Sequence, residues 1–201
     1  MTKKQITESP VNRFSNMSSR MKEHVLITGD SHARNYTANV KTEIRDNFEV
    51  QGLVKPGAGT DVLVNSAHND IISLSKSDVL IFCGGANDVR KNISIKVLQH
   101  VMNLIKSNNH TNIILVTVPR RYDLMQSSCV NSEIKSFNRK PKMVKVYQHL
   151  SVLQMNNDRK LFTIHGLHLN GQGKEVLSKL TVSHTHSLLE QNKSPQNGNQ
   201  T

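Results

Sequence analysis

Ser31 directly follows the apolar run His24–Thr28 and opens the next amphipathic stretch. A hydroxyl at the amino end of a helix is accessible, and the partial positive charge there favours an anion beside it. A serine in this place is also an ordinary N-cap, a role for which Asp30 competes. Three further positions point to chemistry. Gly57 or Gly59 follows the second apolar run, where a backbone N–H can approach a ligand with no side chain in the way. Asn87, in Gly84-Gly85-Ala86-Asn87-Asp88, follows the third run and carries an amide donor. His168 precedes the last helical pattern. The Ser31 N–H, a glycine N–H and the Asn87 amide are the parts of an oxyanion hole. An imidazole on the same edge is the general base that a serine nucleophile needs.

These residues need a scaffold that delivers them to one edge, and the chain has its pattern. Continuous Val/Ile/Leu runs at 24–28, 48–54, 78–83 and 112–118 are what strands buried on both faces look like. Amphipathic stretches near 32–46, from Val62 to Leu74, from Val97 to Ile105, over Val130–Phe137 and over Gln172–Leu189 alternate with them. A less regular run, Val144–Leu153, is the fifth strand candidate. Strands alternating with helices imply right-handed crossovers. The fold class expected is therefore α/β, a flavodoxin-like three-layer α/β/α sandwich around a parallel sheet of about five strands. Ligands bind such sheets beyond the carboxyl ends of the strands, where Gly29–Ser31, Pro56–Gly59, Gly84–Asp88 and Pro119–Asp123 fall.

Gly29-Asp30-Ser31, a glycine after the second strand, Gly85-Ala86-Asn87-Asp88 and His165-Gly166-Leu167-His168-Leu169-Asn170 resemble the four blocks of the SGNH (GDSL-type) hydrolase family, in order and over about 24–189. The resemblance implies Ser31 as nucleophile, Gly57 and Asn87 with the Ser31 N–H as oxyanion hole, and His168 as base. Gly57 fits the family spacing better than Gly59. It implies hydrolysis of acyl esters of lipids, carbohydrates or small molecules, with no metal or other cofactor. Arg121-Tyr122-Asp123-Leu124 and Phe162–Asn170 are similar, more narrowly, to esterase-like domains of animal retroelement-derived proteins.

One block departs from the family pattern. The family has Asp three residues before the catalytic histidine, and this chain has His165. The acid of a triad holds the imidazole in its working tautomer and stabilises the imidazolium, and its loss costs on the order of 10⁴ in kcat, about 5–6 kcal/mol. Three arrangements follow: a Ser31–His168 dyad oriented by a backbone carbonyl, Asp123 acting from the loop after strand four, or a domain that binds without turnover.

Composition bounds the rest. There are 26 Lys+Arg against 15 Asp+Glu, a formal charge of +11, no Trp and two Cys. Two cysteines build no disulfide framework, no apolar run reaches membrane-spanning length, and Met1–Ser19 has no apolar centre of the secretory kind. A membrane protein and a secreted disulfide scaffold are thereby excluded, and an intracellular, cytoplasmic protein without a signal peptide is expected. Residues 1–22 and 190–201 are polar and read as disordered tails, the first of them basic, around a domain at 23–189. Arg120, Arg121, Lys135, Arg139, Lys140, Lys142 and Lys145 form the densest basic group. It is either a solvated surface or a contact for RNA or another polyanion, the partner expected if the domain no longer turns over. Only Phe137 and Tyr147 interleave it, which weakens a base-stacking role. Cys83 ends a buried strand and reads as core. His165 and His168 are three apart, with His24, His32 and His149 elsewhere, but no carboxylate or thiol is at ligand spacing beside them, so no metal is expected.

Overall fold

The computed structural model describes residues 22–45, 47–90, 94–140 and 147–193. Five strands, β1 (Glu23–Gly29), β2 (Phe48–Val54), β3 (Val79–Cys83), β4 (Asn112–Val116) and β5 (Leu150–Leu153), form one sheet in the order β2-β1-β3-β4-β5. Every neighbouring pair is parallel. β3 and β4 are buried at every residue, and β1 from Val25 onward, because helices cover both faces. β2 and β5 are edge strands, and β2 carries the exposed Glu49 and Gln51 that a free edge tolerates.

Helices α1 (Tyr36–Glu43) and α7 (Gly171–Lys193) lie on one face, packed through Tyr36, Val40, Leu177 and Leu188 onto Val25, Ile27, Ile81 and Ile114. The opposite face is covered by α2 (Thr60–Ser66), α3 (His68–Ser73), α4 (Ala86–Arg90), α5 (Ser94–Ser107) and α6 (Cys129–Arg139), which bury Leu26, Leu80, Phe82, Ile113 and Leu115. The architecture is the expected three-layer α/β/α sandwich. Among the described residues no helix is long and apolar enough to cross a membrane.

Several boundaries differ from the sequence reading for local reasons. The helix expected near 32–46 is a 3-10 turn at Ser31–Ala33 followed by α1, separated by Asn35 in the left-handed region at φ 61°. Asparagine enters that region more easily than most residues. The stretch from Val62 to Leu74 is two helices, broken where Ala67 takes φ −95°, ψ 2°. Strand four stops before Thr117 because Asn138 takes over the pairing of Val118: its Oδ1 accepts from Val118 N at 2.9 Å and its Nδ2 donates to Val118 O at 2.8 Å. β5 begins only at Leu150, and Val144–Val146 lie outside the described residues. α7 continues to Lys193, with Asn192 Nδ2 donating to Asn112 Oδ1 at 2.6 Å near its end. Residues 1–21 and 194–201, where the tails were expected, are also outside the described residues.

At the amino edge of the sheet, Asp78 ties two strands together. Its Oδ1 accepts from His24 N, and its Oδ2 from Ser75 N and Ser75 Oγ, each at 2.7 Å, with the residue 7% exposed. Asp78→Ala leaves these donors partly unsatisfied, so urea unfolding should show a loss of about 2–4 kcal/mol. A loss below about 0.5 kcal/mol, the usual range of surface substitutions, would mean that solvent satisfies them.

Candidate active site

The sheet order reverses direction between β1 and β3, which opens a crevice at their carboxyl ends. Ser31 stands one residue beyond Asp30 at the end of β1, and Asn87 lies in α4 just past β3. His168 arrives on the loop before α7. Its Nε2 lies 3.0 Å from Ser31 Oγ, a hydrogen bond between residues 137 positions apart. The hydroxyl therefore has a base in contact, which an N-cap role does not require. The cap of the 3-10 turn is Asp30, whose Oδ1 accepts from His32 N at 2.9 Å. The Ser31 N–H has no acceptor among the described residues.

The two glycines after β2 have different surroundings. A Cβ on Gly59 would lie 2.6 Å from Asp88 Oδ1 and 2.9 Å from Asp61 Oδ1, so this glycine is required by packing. Asp88 is buried, and its Oδ2 accepts from Thr60 N and Thr60 Oγ1, both at 2.9 Å, holding the start of α2 against the crevice. Gly57 has open space around its Cβ position and a φ of +77°, a conformation that favours glycine. Asn87 Nδ2 donates to Ala58 O at 3.0 Å and, more weakly, to Asp30 Oδ2 at 3.4 Å. Asp30 and Ala58 thus orient the amide, and the longer of the two bonds is the one an incoming oxyanion displaces more easily.

Burial pushes the Asp30 carboxyl up to about 6, against the His32 N–H bond and with the neighbouring Asp88 charge. Burial also lowers His168 below its ordinary 6.5; Lys174, Arg34 and Arg121 add to this, and Asp123 opposes it. The ring is therefore neutral near pH 7 and available as a base. His32, which sequence reasoning did not assign to the site, lies with its ring 4.9 Å from that of His168. Burial, followed by the charges of His168, Arg121 and Lys174, depresses it to about 3, so it is a neutral neighbour. Burial likewise pushes the Cys83 thiol up, in keeping with a core residue.

The expected substitutes for the missing acid are placed very differently. His165 is exposed, and its ring shares no hydrogen bond with any described residue. Asp123 lies close enough for its charge to favour protonated His168. It makes a bidentate ion pair with Arg121, whose Nε donates to Oδ1 at 2.7 Å and whose second nitrogen binds Oδ2. That guanidinium holds the Asp123 carboxyl below its usual range. Among the described residues no carboxylate or backbone carbonyl accepts from His168 Nδ1.

The loop carrying His168 is held by Arg159, which has no motif signal, and by Tyr122. Arg159 donates to Thr163 O at 2.8 Å and Ile164 O at 2.7 Å, and Tyr122 N donates to Gly166 O at 2.9 Å. Gly166 has φ +76°, and a Cβ there would lie 2.6 Å from the Tyr122 Cβ and 2.9 Å from Asp123 N. The absence of a side chain at Gly166 is what lets the segment bearing Asp123 pack directly on the histidine loop.

The basic group is divided. Arg120, Lys135 and Arg139 line one cleft, Arg121 is paired with Asp123, Lys140 caps α6, and Lys142 and Lys145 lie outside the described residues. His24 and His149 sit at the opposite, amino edge of the sheet, on or beside the first residues of β1 and β5. Among the described residues no group of three His, Cys, Asp or Glu is arranged to hold a metal ion.

Compared as a sequence, the chain matches no family model and no curated protein. Compared as a structure, it is similar to a GDSL-like lipase from Bacteroides thetaiotaomicron, with TM-score 0.67 and 16% identity over 82% of this chain and 88% of that one. It is similar to the aryl esterase of M. smegmatis, with TM-score 0.67 and 12% identity over 83% and 99%. A carbohydrate acetylesterase from Sinorhizobium meliloti gives TM-score 0.67 and 12% identity over 83% and 100%. The chain has the fold of the SGNH (GDSL-type) hydrolases.

The buried Asp30 makes stability depend on pH in an unusual direction. Its folded pKa, about 6, lies above the unfolded 3.8, so the folded state holds the proton more tightly. Its stabilising effect is present below pH 4 and is lost as pH rises to 6. A shift of that size corresponds to about 3 kcal/mol. Urea unfolding of wild type and Asp30→Asn at pH 4 and pH 7 should show the variant gaining about that amount relative to wild type at the higher pH. A pH-independent difference would mean that Asp30 is ionised throughout.

Proposed function

We propose that the protein is a serine hydrolase acting on acyl esters of small molecules or lipids through Ser31 and His168. The observation that carries this reading is the 3.0 Å contact between Ser31 Oγ and His168 Nε2 at the carboxyl edge of the sheet. It favours turnover over a purely binding role, since a polyanion-binding module has no use for a histidine placed on a serine hydroxyl. Ser31 Oγ attacks the acyl carbonyl carbon and its proton passes to His168 Nε2. The carbonyl oxygen becomes an oxyanion, received by the N–H groups of Ser31 and Gly57 and by the Asn87 amide. Collapse breaks the ester bond, and the alcohol leaves with the proton from His168. Water then attacks the acyl-serine with His168 again as base, releasing the carboxylic acid and restoring the serine.

Asp123 takes the part of the acid in this reading, acting through its charge on His168 and with its own charge shared with Arg121. A carboxylate that is not hydrogen-bonded to the imidazole supplies less than a triad acid, so a modest kcat is expected. Asp123 is a positioning and electrostatic residue, and Gly166 places it.

A fluorophosphonate probe should label the wild type and leave Ser31→Ala unlabelled; labelling of both equally would remove Ser31 from the reaction. Because burial lowers His168, the acid limb of kcat/KM should fall below pH 6.5. Asp123→Asn removes the anion that favours the imidazolium, so it should move that limb to lower pH and reduce kcat by about tenfold. His165→Asp should raise kcat by about tenfold or more when the added carboxylate reaches His168. A gain in His165→Asp with no effect of Asp123→Asn would take the acid role away from Asp123.

A further inference from the structure

A second concavity, a cleft of about 530 Å³, lies between α6 and the segments that follow β4 and β5. Arg120, Lys135 and Arg139 all line it, and among the described residues none of its lining side chains is acidic and Ile134 is the one aliphatic residue. A volume of this order suits a small organic ligand. Lys135 and Arg139 are four residues apart on α6 and so stand on one helix face, an arrangement of like charges that is unfavourable without an anion between or above them. Arg120 adds a third positive charge from the loop side.

The cleft walls are built rigidly. Asn131 Oδ1 accepts from Arg121 N at 2.9 Å, while its Nδ2 donates to Arg121 O and Met125 O. Asn157 Oδ1 accepts from Arg120 N at 3.1 Å, and Asn138 clamps Val118. The backbone from 118 to 121 is thus fixed on both sides before any ligand arrives, which lowers the ordering cost of binding. The same segment joins the cleft to the reaction centre: Arg120 lines the cleft, Arg121 pairs with Asp123, and Tyr122 N bonds to Gly166 O two residues before His168.

We propose that this cleft binds a phosphate group on a small ligand, and that this ligand is the ester whose acyl group reaches Ser31; the second part rests on the hydrolase reading. Three cations and no carboxylate match a group carrying close to two negative charges, as a phosphomonoester does at neutral pH. Guanidinium forks match phosphate oxygens in pairs. Lys174, Arg34 and Arg121 extend the positive field toward His168. A single-stranded nucleic acid fits less well, because such binders combine phosphate contacts with aromatic platforms for the bases. Among the described residues no aromatic side chain lines the cleft, and the nearby Tyr122 ring already holds Arg120 at 4.7 Å and Arg159 at 5.6 Å.

The test uses the full chain and separates binding from turnover. Amide chemical-shift titrations with glycerol 3-phosphate should give saturable shifts around 118–121 and α6 in the wild type and in Ser31→Ala alike. Binding should weaken by about tenfold or more in the double variant Lys135→Gln/Arg139→Gln. Arg120→Gln, from the other wall, should weaken it in the same direction, and thermal melts of all variants check that they fold. In turnover, 1-acetylglycerol 3-phosphate should be preferred over neutral acetylglycerol in kcat/KM by the wild type, with a ratio that falls toward one in the double variant. No binding of glycerol 3-phosphate, or equal binding by wild type and both cleft variants, overturns the proposal. So does saturable binding of a twelve-residue oligouridylate to the same residues without binding of glycerol 3-phosphate, which would assign the cleft to RNA. Cleft-dependent phosphate binding by a protein whose Ser31 resists the fluorophosphonate probe supports the phosphate site and sinks the hydrolase reading alone. Phosphate binding with no preference between the two acetyl esters overturns the link to Ser31.

Discussion

The site depends on α1 and α7 lying side by side on one face of the sheet. α1 begins shortly after Ser31 and α7 shortly after His168, so the packing of these helices sets the distance between the two side chains. A buried hydrogen bond between the Tyr36 hydroxyl and Thr181 Oγ1 ties the first residue of α1 to the middle of α7, and burial pushes the Tyr36 phenol well above its ordinary range, keeping it neutral. Val40, Leu177 and Leu188 close the same interface onto β1 and β3. A contact of 3.0 Å between residues from opposite ends of the domain needs such a rigid frame, because side chains on long loops would lose it to conformational entropy.

Charge around the reaction centre is arranged with equal economy. Three cations and burial keep His168 neutral, while one partly neutralised carboxylate, Asp123, acts in the other direction. Below the crevice two buried acids do structural work: Asp30 orients Asn87 and the turn after β1, and Asp88 holds the start of α2. Asp30 and Asp88 are thus buried, whereas Asp123 is exposed and paired with Arg121.

Much of this was legible in the sequence. Uninterrupted apolar runs at 24–28, 78–83 and 112–118 specify strands buried on both sides, and their alternation with helical patterns leaves few arrangements other than a parallel sheet. Ser31, Asn87 and His168 could be picked out because each follows an apolar run or precedes a helix, where such folds expose their ligands. Some boundaries that differed are set by local backbone conformation at Asn35 and Ala67, and others by side chains distant in sequence: Asn138 bonding the Val118 backbone, and Asn192 bonding the Asn112 side chain. Those contacts have no local signature.

The sequence alone determined the layers, the active edge and the kinds of group that meet there, because burial periodicity and turn residues are local properties. It also showed that the usual acid position holds His165. Only the tertiary structure decided where Asp123 and His165 lie. Gly166 allows the 122–123 segment to lie against the histidine loop, where Asp123 pairs with Arg121 and its charge acts on His168, while His165 is left in solvent. The same holds for the basic residues: their number was evident from composition, but Arg120 joins Lys135 and Arg139 around one cleft, and Arg121 turns to Asp123, only because the loop after β4 is clamped by three asparagines from other parts of the chain. Charge count is additive along a chain, whereas the field that a ligand meets depends on which charges the fold leaves together.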